Sequence, residues 1–175
     1  MKVNPIGTLT PVVAPFAIPL TNMFPVNAQK DRLADTPSGA HLGMADADFS
    51  NAISSTTSGG TITQGAECFI PLPANYIPGA AIKLRVRAKV SATQTTQKLI
   101  LACYVKTDAD GGYTDIGNNV GGVTITTSFA DYDLTLTPTN RVPGEEIVIY
   151  MAFNLNGTGG YGEICHAELQ VTVWG

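Results

Sequence analysis

The chain has 175 residues, of which 14% are charged and 44% apolar, and its formal net charge is −4. So few charges, with ample apolar content, exclude a disordered acidic or basic tail. The 18 Gly, 11 Pro and 21 Thr residues also exclude a helical bundle and are typical of strands joined by tight turns. No apolar run reaches ~18 residues, so no transmembrane helix is expected. Prolines interrupt the apolar stretch at 12–20, so a secretory signal is not expected either.

Residues 1–29 form a segment that differs from the rest of the chain. Lys2 is the only charged residue in it, and five of the eleven prolines recur there at four- to six-residue intervals. Proline at this density prevents a helix and disfavours a central strand, so we expect an extended N-terminal arm. The arm is too apolar to be a solvated linker. The side chains expected to bind a partner are Val12, Val13, Phe16, Ile18, Leu20 and Phe24.

Two surfaces could accept this arm. We expect a neighbouring subunit or another partner protein, because an extended apolar segment has to bury its side chains on something. The alternative is that the arm lies across its own domain and covers a sheet edge.

Residues 30–60 are expected to be a connector, because Pro and Gly limit any helical turn and residues 54–60 form a polar loop. From residue 61 to residue 175 the hydrophobic pattern has a period of two, which is typical of strands. The predicted strands lie near 67–72, 80–90, 98–104, 113–116, 123–127, 131–136, 147–153 and 165–173. About eight short strands without a helix between them predict an all-β fold, an antiparallel β-sandwich of jelly-roll type.

Two kinds of strand can be distinguished within this pattern. The strands at 98–104 and 147–153 are apolar on both faces, so we expect them at the centre of the sandwich, where the core is thickest. The strand at 80–90 has one apolar face and one cationic face, which is typical of a strand with one side in water. Its cations are Lys83, Arg85, Arg87 and Lys89, and we call these four residues the basic stripe.

The basic stripe is a candidate partner-binding site. Successive side chains on one face of a strand lie ~7 Å apart, because each residue rises ~3.3 Å, and this spacing suits a row of acidic groups on a partner. The alternative is a solvated face whose cations pair across strands with Asp131, Asp133 or Glu168. Nucleic acid is disfavoured as a partner, because the net charge is negative and no aromatic residues alternate with the cations.

No group of residues has the spacing of a catalytic, cofactor or metal site. The two histidines lack a Ser, Asp or Cys companion in a nucleophile motif, and Cys165 is expected to face away from the adjacent His166. Asp108 and Asp110 match only half of a calcium-binding loop, so a hairpin loop is the better interpretation.

The three cysteines, Cys68, Cys103 and Cys165, cannot all pair within one chain. Cys103 lies in an apolar run and Cys165 alternates with apolar neighbours, so we expect buried, reduced thiols. A disulfide between Cys68 and Cys165, or one between two chains, is the alternative.

Aromatic residues are sparse, but some are placed where they could bind a glycan. Exposed rings would offer flat platforms on which sugars stack. The candidates are Tyr76, Tyr113, Tyr132 and Tyr161, in or near predicted turns, and Trp174 at the end of the chain. The alternative is that these rings cap the ends of the sandwich.

Three segments carry a resemblance to a known group of proteins. Residues 73–79 lead through a Pro-Gly turn into the strand at 82–90, residues 126–136 combine a Thr-Thr-Ser-Phe turn with an alternating strand, and residues 142–149 run from Val-Pro-Gly-Glu-Glu into an apolar strand. With the strand pattern of residues 61–175, they resemble jelly-roll modules of tailed-bacteriophage virion proteins, especially capsid decoration (cement) proteins.

The resemblance implies a function as well as a fold. It implies a homo-oligomeric sandwich, with a trimer favoured, that binds the major capsid protein on the outside of the virion through its arm. The resemblance brings no active-site motif, so a non-enzymatic structural protein without a cofactor is expected. The alternative is a glycan- or receptor-binding sandwich of a phage tail or head fibre.

Overall fold

The chain folds as an antiparallel β-sandwich of jelly-roll type, in a computed structural model that describes residues 9–25, 42–44, 52–106, 112–119 and 121–175. Its strands are β1 (Pro11–Ala17), β2 (Phe24–Pro25), β3 (Gly43–Met44), β4 (Ile53–Ser54), β5 (Gly59–Pro71), β6 (Ile82–Val90), β7 (Thr96–Lys106), β8 (Tyr113–Asn118), β9 (Val123–Thr124), β10 (Ala130–Leu136), β11 (Glu146–Thr158) and β12 (Gly162–Trp174). One turn of 3-10 helix, Leu20–Asn22, lies between β1 and β2.

The strands form two sheets whose inner faces pack together. In sheet A the order is β10-β6-β12-β4-β3, with β1 also paired to β12. In sheet B the order is β2-β5-β11-β7-β8, with β9 also paired to β7. The inner faces are apolar because alternate residues of the long strands point between the sheets, and these side chains form one continuous core.

All eight predicted strands are confirmed, and four short strands accompany them. β1, β2, β3 and β4 lie in the parts of the sequence expected to be arm and connector, yet each pairs with a strand of one of the two sheets. The division into arm, connector and sandwich stays a prediction for the chain as a whole. Within the described residues, segments of the first two contribute strands to the third.

Residues 9–25 of the N-terminal arm lie on the sandwich of their own chain, as the alternative interpretation of the arm expected. β1 runs antiparallel to β12, from the pair Pro11–Trp174 to the pair Ala17–Glu168. At the two ends of this pairing, the amide of Ile18 donates to the carbonyl of Ala167 at 2.8 Å, and that of Gly175 donates to the carbonyl of Thr10 at 3.1 Å. β1 therefore forms an edge of sheet A.

The apolar side chains of this segment divide into two groups. Ile18 and Leu20 are buried in the core of the chain itself. Phe16 packs against that core, and Phe24 lies in β2 beside β5. Val12 and Val13 remain 43% and 69% exposed. Because Ile18 and Leu20 are buried, Val12 and Val13 offer more surface to a partner than they do. Partner binding by the six residues stays a prediction.

Some sequence-based expectations fall outside the described residues. These are the possible helical turn within the connector, His41, and the oxygen-rich loop that contains Asp108 and Asp110. Within the described ranges, no helix has the length and apolar character needed to cross a membrane.

Candidate functional site

The outer face of sheet A carries the basic stripe, and the register places carboxylates opposite its cations. β10 pairs with β6 so that Asp133 lies opposite Arg85 and Asp131 lies opposite Arg87. Asp133 accepts from Arg85 Nε at 2.8 Å and from Lys83 Nζ at 3.1 Å. The hydrogen bond from Arg85 is the main reason that the pKa of Asp133 lies below its ordinary value of 3.8.

The other two cations of the stripe are also paired. Arg87 Nη1 lies 3.1 Å from Asp131, and Lys89 Nζ lies 3.2 Å from Glu163 on β12. The cross-strand pairing expected with Asp131 and Asp133 is thus confirmed, whereas Glu168 lies 3.3 Å from His166. Because each cation on this face is paired with a carboxylate of the same chain, the face has the features of a solvated outer face. Partner binding by the stripe stays a prediction.

The outer face of sheet B is different, because its large side chains are aromatic. Phe69, Val148 and Tyr104 lie side by side on β5, β11 and β7, and Asp115 on β8 lies opposite Tyr104. In the next row, Phe24, Glu67, Tyr150 and Ala102 lie side by side on β2, β5, β11 and β7. Phe24 and Tyr150 of this row extend the aromatic face to β2 and along β11.

Small residues lie between these rings. Gly65, Ala102 and Ala152 point away from the core but are nearly inaccessible to solvent, and a neighbouring large side chain covers the first of them. Tyr150 shows how: a Cβ atom at Gly65 would lie 2.7 Å from Tyr150 Cε2 and 2.9 Å from its hydroxyl oxygen. The ring therefore leans across the strand and occupies the space that a side chain at residue 65 would take.

An open cavity of about 250 Å³ lies on this face, lined by Glu67, Tyr104, Tyr113 and Val148. Tyr113 is 53% exposed at the start of β8, while Tyr104 and Tyr150 are partly buried. Desolvation is the main cause that raises the pKa of both Tyr104 and Tyr150, so both phenols remain protonated near neutral pH and can donate as well as accept hydrogen bonds.

Among the described residues that line this cavity, Glu67 is the charged one. Among the described residues, none forms an ion pair or hydrogen bond with its carboxylate. Partial burial raises the pKa of Glu67 above its ordinary value of 4.5. A partly desolvated carboxylate without a partner costs free energy in the folded protein, which is a feature of binding and catalytic sites.

The sequence pointed to some of these residues and missed others. Tyr113 lies where the glycan hypothesis needed it, whereas Tyr76 is 1% exposed and donates its hydroxyl to the carbonyl of Ala80. Tyr161 is exposed, but it lies between β11 and β12, at the other end of β11 from Val148. Tyr104 and Tyr150 were missed because their strands were expected to be buried on both sides.

A second cavity, of about 350 Å³, lies beside the N-terminal segment and is lined by residues 17–21, Cys165 and His166. The pairing of β12 with β6 shifts register between Ile164 and His166, so Cys165 occupies a β-bulge. The expectation of a buried, reduced thiol is met only in part at Cys165: the thiol is free, but the residue is only half-buried and its Sγ lies 3.7 Å from the carbonyl oxygen of Arg87.

The other two cysteines are buried free thiols, as expected. Cys68 and Cys103 flank Ile149 from the neighbouring strands β5 and β7. Burial raises the pKa of Cys68 to about 12 and also raises that of Cys103, so neither thiol supplies a thiolate near neutral pH.

No protein-family model matches the chain, and no curated protein matches it either. Among solved structures, the chain is similar to a xylan-binding module, at 15% identity over 90% of this chain and 96% of that chain, with a TM-score of 0.48. It is similar to a carbohydrate-binding module in complex with β-1,4-galactotriose, at 14% identity over 67% and 68% of the two chains, with a TM-score of 0.40.

The chain is also similar to the enzymatically active domain of tailspike protein 4 of bacteriophage CBA120, at 15% identity over 94% of this chain and 19% of that chain, with a TM-score of 0.41. TM-scores below 0.5 at such identities carry no argument about function. Evidence for the function of this chain must therefore come from its own surface.

Proposed function

We propose that the chain is a non-enzymatic binding module that holds a glycan on the outer face of sheet B. The observation that carries this proposal is the open cavity in which tyrosine rings surround an unpaired carboxylate, Glu67, within the described residues. Aromatic rings supply flat apolar surfaces, and phenol and carboxylate oxygens bond to hydroxyl groups. A sugar presents both kinds of surface, because its C–H bonds form an apolar face and its hydroxyls form a polar rim.

The arrangement of the face fits a chain of sugars. Aromatic residues extend from Tyr113 on β8 to Phe24 on β2, across five neighbouring strands. Strands lie ~4.8 Å apart, so the face offers a track of ~19 Å, longer than one sugar ring. A track across the strands would give the rings successive positions at which to stack.

The test is direct binding of the full chain to a panel of polysaccharides, followed by calorimetry on the strongest binder. We expect Tyr104→Ala and Tyr150→Ala each to weaken binding at least tenfold, which is about 1.4 kcal/mol, because each removes a ring from the face. Tyr161→Ala is the matched control: it removes an exposed tyrosine at the other end of β11 and should leave affinity unchanged. The proposal is wrong if no glycan binds, or if the three variants behave alike.

A virion decoration protein is the second candidate, and one surface feature favours it. Leu9, Val13 and Trp174 are 65%, 69% and 43% exposed, and Pro11 pairs with Trp174 where β1 meets the end of β12. An apolar group of this kind suits a contact with the major capsid protein or with another copy in a trimer.

Deleting residues 1–29 would not test the decoration role, because it would also remove core residues such as Ile18. Surface substitutions are cleaner, so we expect the double variant Leu9→Asp and Val13→Asp to fold normally and to lose capsid occupancy in co-sedimentation with phage heads. Undiminished occupancy would remove the second candidate.

A further inference from the structure

The charges around the cavity indicate which class of glycan it would bind, provided that the face binds a glycan as proposed. Among the described residues, the outward-facing charges around it are Glu67, Asp115 and Glu146 on the acidic side and Lys106 on the basic side. Asp115 lies opposite Tyr104, and Lys106 lies opposite Tyr113 at the exposed end of β7. Among the described residues, the surroundings of the cavity therefore carry more negative than positive charge, in contrast to the compensated face of sheet A.

Glu67 is the one of these charges that lines the cavity, and its surroundings strengthen its electrostatic effect. Phe24 and Tyr150 lie opposite it on the two neighbouring strands, and Phe69 follows it on the same face of β5. These rings displace water from the carboxylate, so a second negative charge brought close to it would be screened less than in bulk solvent. A uronate, sialate or sulfate group bound here would meet this repulsion.

The same carboxylate is well suited to neutral sugars. An ionised carboxylate has two oxygens and only accepts hydrogen bonds, so it can accept from two neighbouring hydroxyl groups at once. Hydrogen bonds to a charged acceptor are stronger than neutral ones. Among the described residues, its hydrogen-bonding capacity is not used within the chain.

From this geometry we infer that Glu67 is the specificity-determining residue of the face, and that it restricts binding to uncharged glycans that present two adjacent hydroxyl groups. Glu67 acts in two ways: it accepts hydrogen bonds from sugar hydroxyl groups, and it repels anionic sugars. Removing the charge and keeping the shape should therefore weaken neutral ligands and relax the discrimination against acidic ones.

The experiment uses the full chain and a panel of neutral polysaccharides (xylan, galactan and hydroxyethylcellulose) and acidic ones (polygalacturonate, alginate and carboxymethylcellulose). The strongest binder is then derivatised in two ways, with carboxymethyl or hydroxyethyl groups, which are of similar size and differ in charge. We expect the wild type to bind the hydroxyethyl form at least tenfold more tightly than the carboxymethyl form.

Glu67→Gln should weaken binding of the underivatised neutral ligand at least tenfold and reduce the ratio between the two derivatives at least tenfold. Glu168→Gln is the charge-matched control on sheet A and should change neither quantity. The inference is overturned if wild type binds an acidic glycan as tightly as its neutral counterpart, or if Glu67→Gln changes neither quantity. If no glycan of either kind binds, the proposed function itself is wrong, so the two failures are distinguishable.

Discussion

The outer faces of the two sheets share the same strand geometry but differ in whether their charged side chains are paired within the chain. On sheet A, β6 places a cation at every second residue, and β10 and β12 place carboxylates within 3.2 Å of each of them. On sheet B, β5 places Glu67 among aromatic rings, where the described residues offer it no partner. The charges on the first face are paired within the chain, whereas the carboxylate on the second face is available to a ligand.

The difference shows why charge alone is a poor guide to a binding surface. Exposed ion pairs each contribute about 0.2–1 kcal/mol and need no ligand. The Glu67 carboxylate on sheet B costs free energy in the absence of a ligand, because water has been partly removed from it. The following substitutions should therefore separate the two faces.

The largest effect is expected from filling the space beneath Tyr150. In Gly65→Ala the new Cβ would lie within 3.0 Å of the ring, so the ring must leave its position and the aromatic face is reshaped. We expect glycan affinity, measured by calorimetry, to fall at least tenfold, which is about 1.4 kcal/mol. Gly59→Ala, on the same strand with no atom within 4 Å of the new Cβ, is the matched control. Equal affinities of the two variants would contradict this account of Tyr150.

A smaller effect is expected on sheet A, from Asp133→Asn. The substitution removes the ion pairs to Arg85 and Lys83, and because these groups are exposed we expect a loss of about 0.2–1 kcal/mol in the free energy of unfolding at pH 7. The folded-state pKa of Asp133 is lowered, so its stabilisation is present above its ordinary value of 3.8 and is lost as pH falls through the folded-state value.

Denaturant unfolding of wild type and Asp133→Asn at pH 7 and pH 3 measures this dependence. The difference between the two proteins should shrink at pH 3, and it should also shrink in 1 M salt, where the Debye length is about 3 Å. Glycan affinity should not change. A loss of affinity would show that the two faces are not independent.

The smallest effect is expected from Glu67→Gln on the free energy of unfolding, and this substitution should raise it where Asp133→Asn lowers it. The folded-state pKa of Glu67 is raised, so the cost of its charge is absent below pH 4.5 and fully present above the folded-state value. At pH 7 the variant should therefore be more stable than wild type by up to about 0.5 kcal/mol. The gain should vanish in unfolding experiments at pH 3. A destabilised variant at pH 7 would mean that Glu67 has a partner within the chain.

Much of the fold could be predicted because alternation leaves a strong signal in long strands. The sequence predicted a strand at 80–90, within two residues of the observed β6, because apolar and cationic side chains alternate along it. β1 was harder, because Pro11 and Pro15 argue against a strand when its position in the sheet is unknown. The bulge at Cys165 was missed because Cys165 continues the apolar alternation of residues 167–173, although the buried Ile164 lies out of phase with that series.

The candidate site was harder to predict than the fold, for a reason visible in β7 and β11. Both strands are apolar on both faces, and this was interpreted as burial on both sides. A sandwich has only two layers, so one face of every strand points away from the core, and on β7 and β11 this face carries the partly buried rings of Tyr104 and Tyr150. Tyr104 and Tyr150 could have been found by applying that geometric limit to the sequence. Their proximity to Glu67 required the register.

The spacing of the prolines in β1 has a consequence for the solubility of the protein. The hydrogen bonds at Thr10 and Ile18 fix the alternation, so residues 11, 13, 15 and 17 direct their backbone groups away from β12. Two of these four positions, Pro11 and Pro15, have no N–H to donate. An edge strand with alternate donors missing is a poor template for another strand, so these prolines protect this edge of the sandwich against edge-to-edge aggregation.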